Sequence, residues 1–323
     1  MSATRNVASP ANAAFCRPVG FSVEYFDPVA KSLKSFVLTY FPDGKIQMVS
    51  GKTGKVFLSK IYSKEITPKD LYIGNTVVVF SRELSIVDYA DESTRKLFEK
   101  HQARGFLMVL AGAMSNLGEI IGAVQNGEEC GGGEKCQGRS PTLIANAEMF
   151  QLDGRQLPPH LAMLEDALPQ QSGAMVALEL LTESRNGGFS SLLDTVHRLR
   201  QRHGKDVFAS GTPEEAAEHA RYVFRERGLA PTTTLVEGLH GQQAIAMACT
   251  LCVVKPHVVR DGGLGAVLFF ASKRGFQVSG MRMMHIGQVE AEELLLPYRG
   301  VVSYHADAVR QLKSGPCVVL QIE

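Results

Sequence analysis

At 323 residues, with 45% apolar and 21% charged, the chain is long enough for two or three domains that each bury a core. A net charge of +1 excludes the bulk electrostatics that draw a protein to nucleic acid or to a membrane surface, and no stretch is long and apolar enough to cross a bilayer. Residues 1–18 have no apolar core of the secretory-signal type and read as a flexible arm.

Residues 19–90 read as short strands punctuated by turns. Phe36–Phe41 is β-branched and aromatic, Pro42-Asp43-Gly44-Lys45 turns the chain, and Ile46–Val49, Val56–Leu58, Thr76–Phe80 and Leu84–Tyr89 follow. Gly51-Lys52-Thr53 has a phosphate-loop look, but Ile46 stands where that loop needs glycine and the context is strand–turn–strand, so a hairpin turn is expected. Asp91–Lys100 suits a short helix. A strand over Phe106–Leu110 is followed by a helix over Asn116–Val124 and a Gly-rich loop over 126–141. Met149–Leu168 carries two short helical patterns, Met175–Leu181 a strand, and Ser191–Arg202 an amphipathic helix. Thr212-Pro213-Glu214-Glu215 opens a helix that runs to about Arg227: Thr caps, Pro fits the first turn, and the acids suit the N-terminal dipole. Residues 229–246 are a connector.

The stretch from Leu251 to Gly265 repeats the earlier shape, with an apolar run, then Lys255-Pro256, then a Gly-rich turn and a helix after Leu264. The offset puts Ala111 opposite Lys255. Ser172–Leu180 matches Ser314–Ile322 in the same way, which indicates a duplicated domain. The second copy continues with a strand over Phe276–Met281, helices over Glu290–Leu296 and Val301–Leu312, and a strand over Gly315–Ile322. This order implies an α+β sandwich with helices on one side of a mixed sheet. Cys16, Cys130, Cys136, Cys249, Cys252 and Cys317 have no zinc-type spacing beyond the lone Cys249–Cys252 pair, so reduced cytosolic thiols and no metal site are expected.

Several segments carry a family resemblance: Phe41-Pro42-Asp43-Gly44, Leu71-Tyr72-Ile73-Gly74-Asn75 and Val79–Leu84 with Asp88-Tyr89 early in the chain, then Val254-Lys255-Pro256-His257, Gly275-Phe276, Tyr298–Val302, Tyr304-His305 and Ser314-Gly315-Pro316-Cys317. The later ones resemble nucleoside diphosphate kinase domains, and the whole order is similar to the ciliary nucleoside diphosphate kinase homologue seven family. The resemblance implies a multidomain α+β protein. An arm (1–18) is followed by an all-β, pleckstrin-homology-like DM-ten domain (19–103). A degenerate ferredoxin-like kinase domain (104–236) and a second such domain (237–323), incomplete before its catalytic half, complete the order. It also implies a place in the cytoplasm and cytoskeleton, in the axoneme of cilia or flagella and at the centrosome or basal body. The implied partners are tubulin and other doublet-microtubule proteins, with neither nucleic acid nor membrane among them.

Active members of the kinase family pass a phosphoryl group through a histidine, assisted by a lysine, arginines and Mg²⁺. The resemblance puts Ala111 at the lysine position of the first copy and Phe208 near the position of the nucleophile, within Phe208-Ala209-Ser210-Gly211-Thr212. No histidine occurs between His203 and His219, and His219 reads as a surface residue of the next helix. In the second copy Lys255 and Tyr298 are the nucleotide-binding candidates. Each also has an ordinary reading, as a loop cation in a salt bridge and as a packed ring with a wet hydroxyl. His257 stands where active members of the family usually carry Asp, the wrong place for the nucleophile, and His285 and His305 read as structural. The expectation is therefore a catalytically dead scaffold of the axoneme, a microtubule inner protein with no catalytic residue, needing no cofactor and binding at most weak ATP or GTP with Mg²⁺. The alternative is a phosphohistidine ping-pong kinase, or a nucleotide sensor acting through the second copy.

Overall fold

The computed structural model describes residues 16–27, 29–63, 66–80, 82–126, 142–152, 173–183, 188–226 and 249–323. They fall into two compact units, Met1–His101 with His285–Pro316, and Gln102–Met284 with Cys317–Glu323.

In the first unit β1 (Val19–Asp27), β2 (Ser32–Tyr40), β3 (Lys45–Ser50), β4 (Val56–Tyr62), β5 (Thr76–Val79) and β6 (Arg82–Tyr89) form one antiparallel sheet in the order β4-β3-β2-β1-β6-β5. Alternation selects the buried face: Val19, Phe21 and Val23 on β1, Leu38 and Tyr40 on β2, Ile46 and Met48 on β3, and Leu84 and Ile86 on β6 share one core. The Asp43-Gly44 turn needs its glycine, because φ is +77° there and an added Cβ would lie 2.8 Å from the Tyr62 ring. Helix α1 (Glu92–His101) covers one end of the sheet. Asp91 opens it by accepting from the Thr94 backbone N–H at 2.7 Å, and Phe98 meets the rings of Phe21 and Tyr89, each with centroids 5.3 Å apart. The same unit includes α7 (Gln288–Leu294) and α8 (His305–Leu312).

The second unit is built on a seven-stranded sheet. Its first repeat runs β7 (Gln102–Val109), α2 (Leu117–Asn126), β8 (Leu143–Leu152), β9 (Gly173–Glu183), α3 (Gly188–His203), β10 (Val207–Ala209) and α4 (Pro213–Arg221). Its second runs β11 (Thr250–Val254), α5 (Pro256–Arg260), α6 (Leu264–Lys273), β12 (Val278–Met284) and β13 (Cys317–Ile322). The strand order is β10-β7-β9-β8-β12-β13-β11, and every pair is antiparallel. The expected mixed sheet is thus corrected. The helical crossover brings β8 back in the direction of β7, but β9 inserts between them and runs the other way.

Helices on one side only are corrected too. Phe106 through Leu110 are all at most 1% exposed, so β7 is buried on both faces and both must be covered. Leu107, Val109, Val176 and Leu178 pack with α2 and α3, while Phe106, Met108, Met175 and Ala177 pack with Ala216 and Ala220 of α4.

The two repeats meet edge to edge, with Glu148 of β8 opposite Arg282 of β12, and β7-β9-β8 is mirrored by β11-β13-β12. Helices α2 and α6 cross at glycines. A Cβ on Gly265 would lie 2.3 Å from the Gly122 backbone nitrogen, and one on Gly118 2.3 Å from that of Phe269. Three element expectations are revised. Met149–Leu152 belongs to β8 and is not helical, the strand placed at 276–281 spans Val278–Met284, and the helix placed at 301–312 begins at His305. The loop 126–141 from residue 127 onward, the helical pattern from residue 153 onward, the connector 229–246, Cys130 and Cys136 lie outside the described residues.

Candidate functional site

Strand register fixes which residues of the two repeats correspond. Val109 faces Val176 on β9, and Val254 faces Val318 on β13. Val176 and Val318 are themselves repeat partners, since Ser172–Leu180 matches Ser314–Ile322. The residue after β7 is Leu110 and the residue after β11 is Lys255. Both hold extended backbone and lead into helical turns, Ala111–Asn116 and α5. Leu110 therefore stands opposite Lys255, and Ala111 stands opposite Pro256. The sequence offset was one residue out because the first repeat lacks the Lys-Pro pair that would have anchored it. The chemistry is unchanged, since a fully buried leucine offers no cation.

Phe208 lies on β10, paired with Met108 of β7, and is half-buried. Arg200 on α3 holds this strand, donating from Nε to the Val207 carbonyl at 3.0 Å. Beyond it, Ser210 is 2% exposed and its hydroxyl lies 2.8 Å from Nδ1 of His219. His219 is 5% exposed, with its ring 5.8 Å from that of Phe208 and 5.5 Å from that of Phe106. The surface reading of His219 is therefore corrected: α4 turns this imidazole inward, onto the same face of the sheet as Phe208. The capping of α4 sets that phase, since Thr212 accepts from the Glu215 backbone at 3.2 Å, and Ala216 and Ala220 face inward with His219. The signal was available in the spacing, because 216, 219, 220 and 223 form one helical stripe.

Lys255 is half-buried at the end of β11, is not without a partner, and its carbonyl accepts from Val258 at 3.0 Å. Tyr298 is 54% exposed and belongs to the first unit, so the two nucleotide candidates lie in different compact units. In that first unit a groove of about 640 Å³ between α7 and α8 is lined by Val289, Leu296, Arg299, His305, Arg310 and Lys313 among others, and Tyr298 is not part of its lining. His257 is exposed. Burial lowers the pKa of His285 to about 4, against the weaker opposing effect of the hydrogen bond its ring donates to the Thr76 carbonyl. Burial also pushes the Cys317 thiol up to about 11 and raises that of Cys252, so neither is a ready thiolate. Among the described residues no cluster of His, Cys, Asp or Glu could hold a metal ion.

Residues 248–323 match the nucleoside diphosphate kinase family. Over 325 aligned residues the chain is 29% identical to nucleoside diphosphate kinase homolog 7 of Rattus norvegicus, covering 94% of this chain and 77% of the relative, and the homolog 7 of Mus musculus matches over the same extent. The likeness to homolog 7 thus extends over nearly the whole chain, while the family model matches its last quarter. A nucleoside diphosphate kinase of Chlamydia pneumoniae is 34% identical over 77 residues, which is 24% of this chain and 53% of that enzyme. The homolog 7 likeness spans both repeats.

Proposed function

We propose that this chain is a homolog 7 family member and a non-catalytic scaffold of the ciliary or flagellar axoneme, seated within doublet microtubules among tubulin and neighbouring doublet proteins. Its kinase-like repeats serve as rigid shapes, and its N-terminal β unit, read as a pleckstrin-homology-like DM-ten domain, serves as a docking module. The first repeat is read as ferredoxin-like. Its strand–helix–strand–strand–helix–strand path and the order β10-β7-β9-β8 support that reading. Residues 1–18, 19–103, 104–236 and 237–323 remain the proposed units of ancestry.

The observation that carries the loss of activity is Phe208. A phenyl ring cannot accept a phosphoryl group, and the imidazole of His219, 5.8 Å from it, is buried against two aromatic rings and bonded to Ser210. The lysine position of the same repeat holds Leu110, so both the nucleophile and the neutralising cation are replaced. The scaffold needs no cofactor.

The test is incubation of the purified chain with γ-labelled ATP. No acid-labile phosphohistidine and no transfer to a nucleoside diphosphate are expected, and either one would overturn the reading. Native protein should also remain with doublets after a high-salt wash, and release with the soluble fraction would count against the axonemal assignment. The rival, nucleotide binding without turnover, rests on Lys255. Lys255→Ala should then abolish ATP affinity, and unchanged affinity removes that site.

A further inference from the structure

Strand β4 ends the six-stranded sheet, with β3 on one side and no strand on the other among the described residues. Six of its seven residues are exposed and one half-buried, although the strand is strongly apolar: Val56 is 55% exposed, Phe57 49%, Ile61 41% and Tyr62 58%. A bare apolar edge ordinarily invites uncontrolled pairing. Here the rim is cationic. Lys52 and Lys55 stand in the turn that enters β4, with no ion pair among the described residues. Lys60 lies within the strand, and the guanidinium of Arg82 sits 5.2 Å from the Phe57 ring. The acid facing this edge, Asp43, is already shared by Lys45 at 2.9 Å and Lys60 at 3.7 Å. Two register shifts between β3 and β4 add twist to the edge.

We infer that β4 is a docking edge for an extended acidic segment of a partner protein, which adds as a further strand. Backbone groups along 56–62 supply the hydrogen bonds. Phe57 and Tyr62 receive apolar side chains, and Lys52, Lys55 and Arg82 meet the carboxylates. The charge decides the occupant: the like charges of a second basic edge disfavour pairing between copies, while an acidic strand is attracted. A lipid surface fits less well, because it offers nothing to pair with a strand's backbone. The inference does not need the scaffold reading, since an active kinase could carry the same edge.

The test uses the full chain and labelled peptides of alternating glutamate and valine, with lysine–valine peptides and phosphatidylserine vesicles as comparators. Fluorescence anisotropy should report binding of the acidic peptide alone, weakening with salt, and hydrogen exchange should slow along 56–62. The double variant Lys52→Glu, Lys55→Glu should weaken binding by about tenfold or more, with the single Lys52→Glu and Lys69→Glu variants compared as a charge-matched pair on and off the edge. Both changes lie on exposed turns, and circular dichroism checks the fold. Absent protection at 56–62, equal binding of the lysine peptide, or protection only by vesicles overturns the inference.

Discussion

His285 shows what burial does to a single titrating side chain. Its folded pKa is about 4 against an ordinary 6.5, so the unfolded chain binds the proton more readily between those values. Stability is therefore full above pH 6.5 and falls as pH drops towards 4, by on the order of 3 kcal/mol for this one group. Asp27 and Asp91, whose carboxyls are held below their usual range by hydrogen bonds from Lys34 and Ser93 respectively, lose their contribution at lower pH and leave that window clear. Urea midpoints measured from pH 7 to 4.5 should decline, and His285→Gln should flatten the decline. An unchanged slope would mean that the imidazole is protonated in the fold. His219 makes a second case. Deleting its ring with His219→Ala opens a cavity beside Phe106 and Phe208 and leaves the buried Ser210 hydroxyl without this partner, a cost of about 2–4 kcal/mol readable as a lower melting midpoint.

At the scale of elements, the contact between α2 and α6 is the most demanding feature. Helix axes approach this closely only where no side chain intervenes, and Gly122 faces Gly265 for that reason. Gly265→Ala places a methyl against the Gly122 backbone and should cost about 1–3 kcal/mol, while Gly275→Ala, with open space around it but φ of +85°, tests backbone strain alone. Equal urea midpoints for Gly265→Ala and the parent would disprove the close crossing. The strands were legible to different degrees. Phe36–Phe41 and Ile46–Val49 announce themselves by residue type, whereas β1 spreads Val19, Phe21, Val23 and Tyr25 over alternate positions, a weaker signal. The first residues of β8 suffer further, because the bulge between Ile144 and Asn146 breaks the alternation.

Across the whole molecule, the compact units do not follow the boundaries of the repeats. The segment His285–Pro316 belongs by sequence to the second repeat, yet it groups with the N-terminal sheet, where an added Cβ at Gly287 would lie 2.7 Å from a Glu83 carboxylate oxygen. A fragment covering residues 1–103 therefore lacks part of its own unit. Expressed alone it should unfold at lower urea than the same strands in the full chain, with faster amide exchange on β5. Identical exchange would show the β unit to be self-sufficient.

Local pattern determined much of this protein: the strand and helix runs, the duplication, and the likeness to nucleoside diphosphate kinase homolog 7. Those features depend on residue type and on periods of two and 3.6, which a short window contains in full. Only the tertiary structure decided that Leu110 and not Ala111 answers Lys255, that His219 points inward, that the seven-stranded sheet is antiparallel throughout, and that β4 ends its sheet among the described residues. Each depends on which distant strand or helix lies alongside, and that choice is made by the sum of burial and pairing over the whole chain, so no single stretch of sequence carries it.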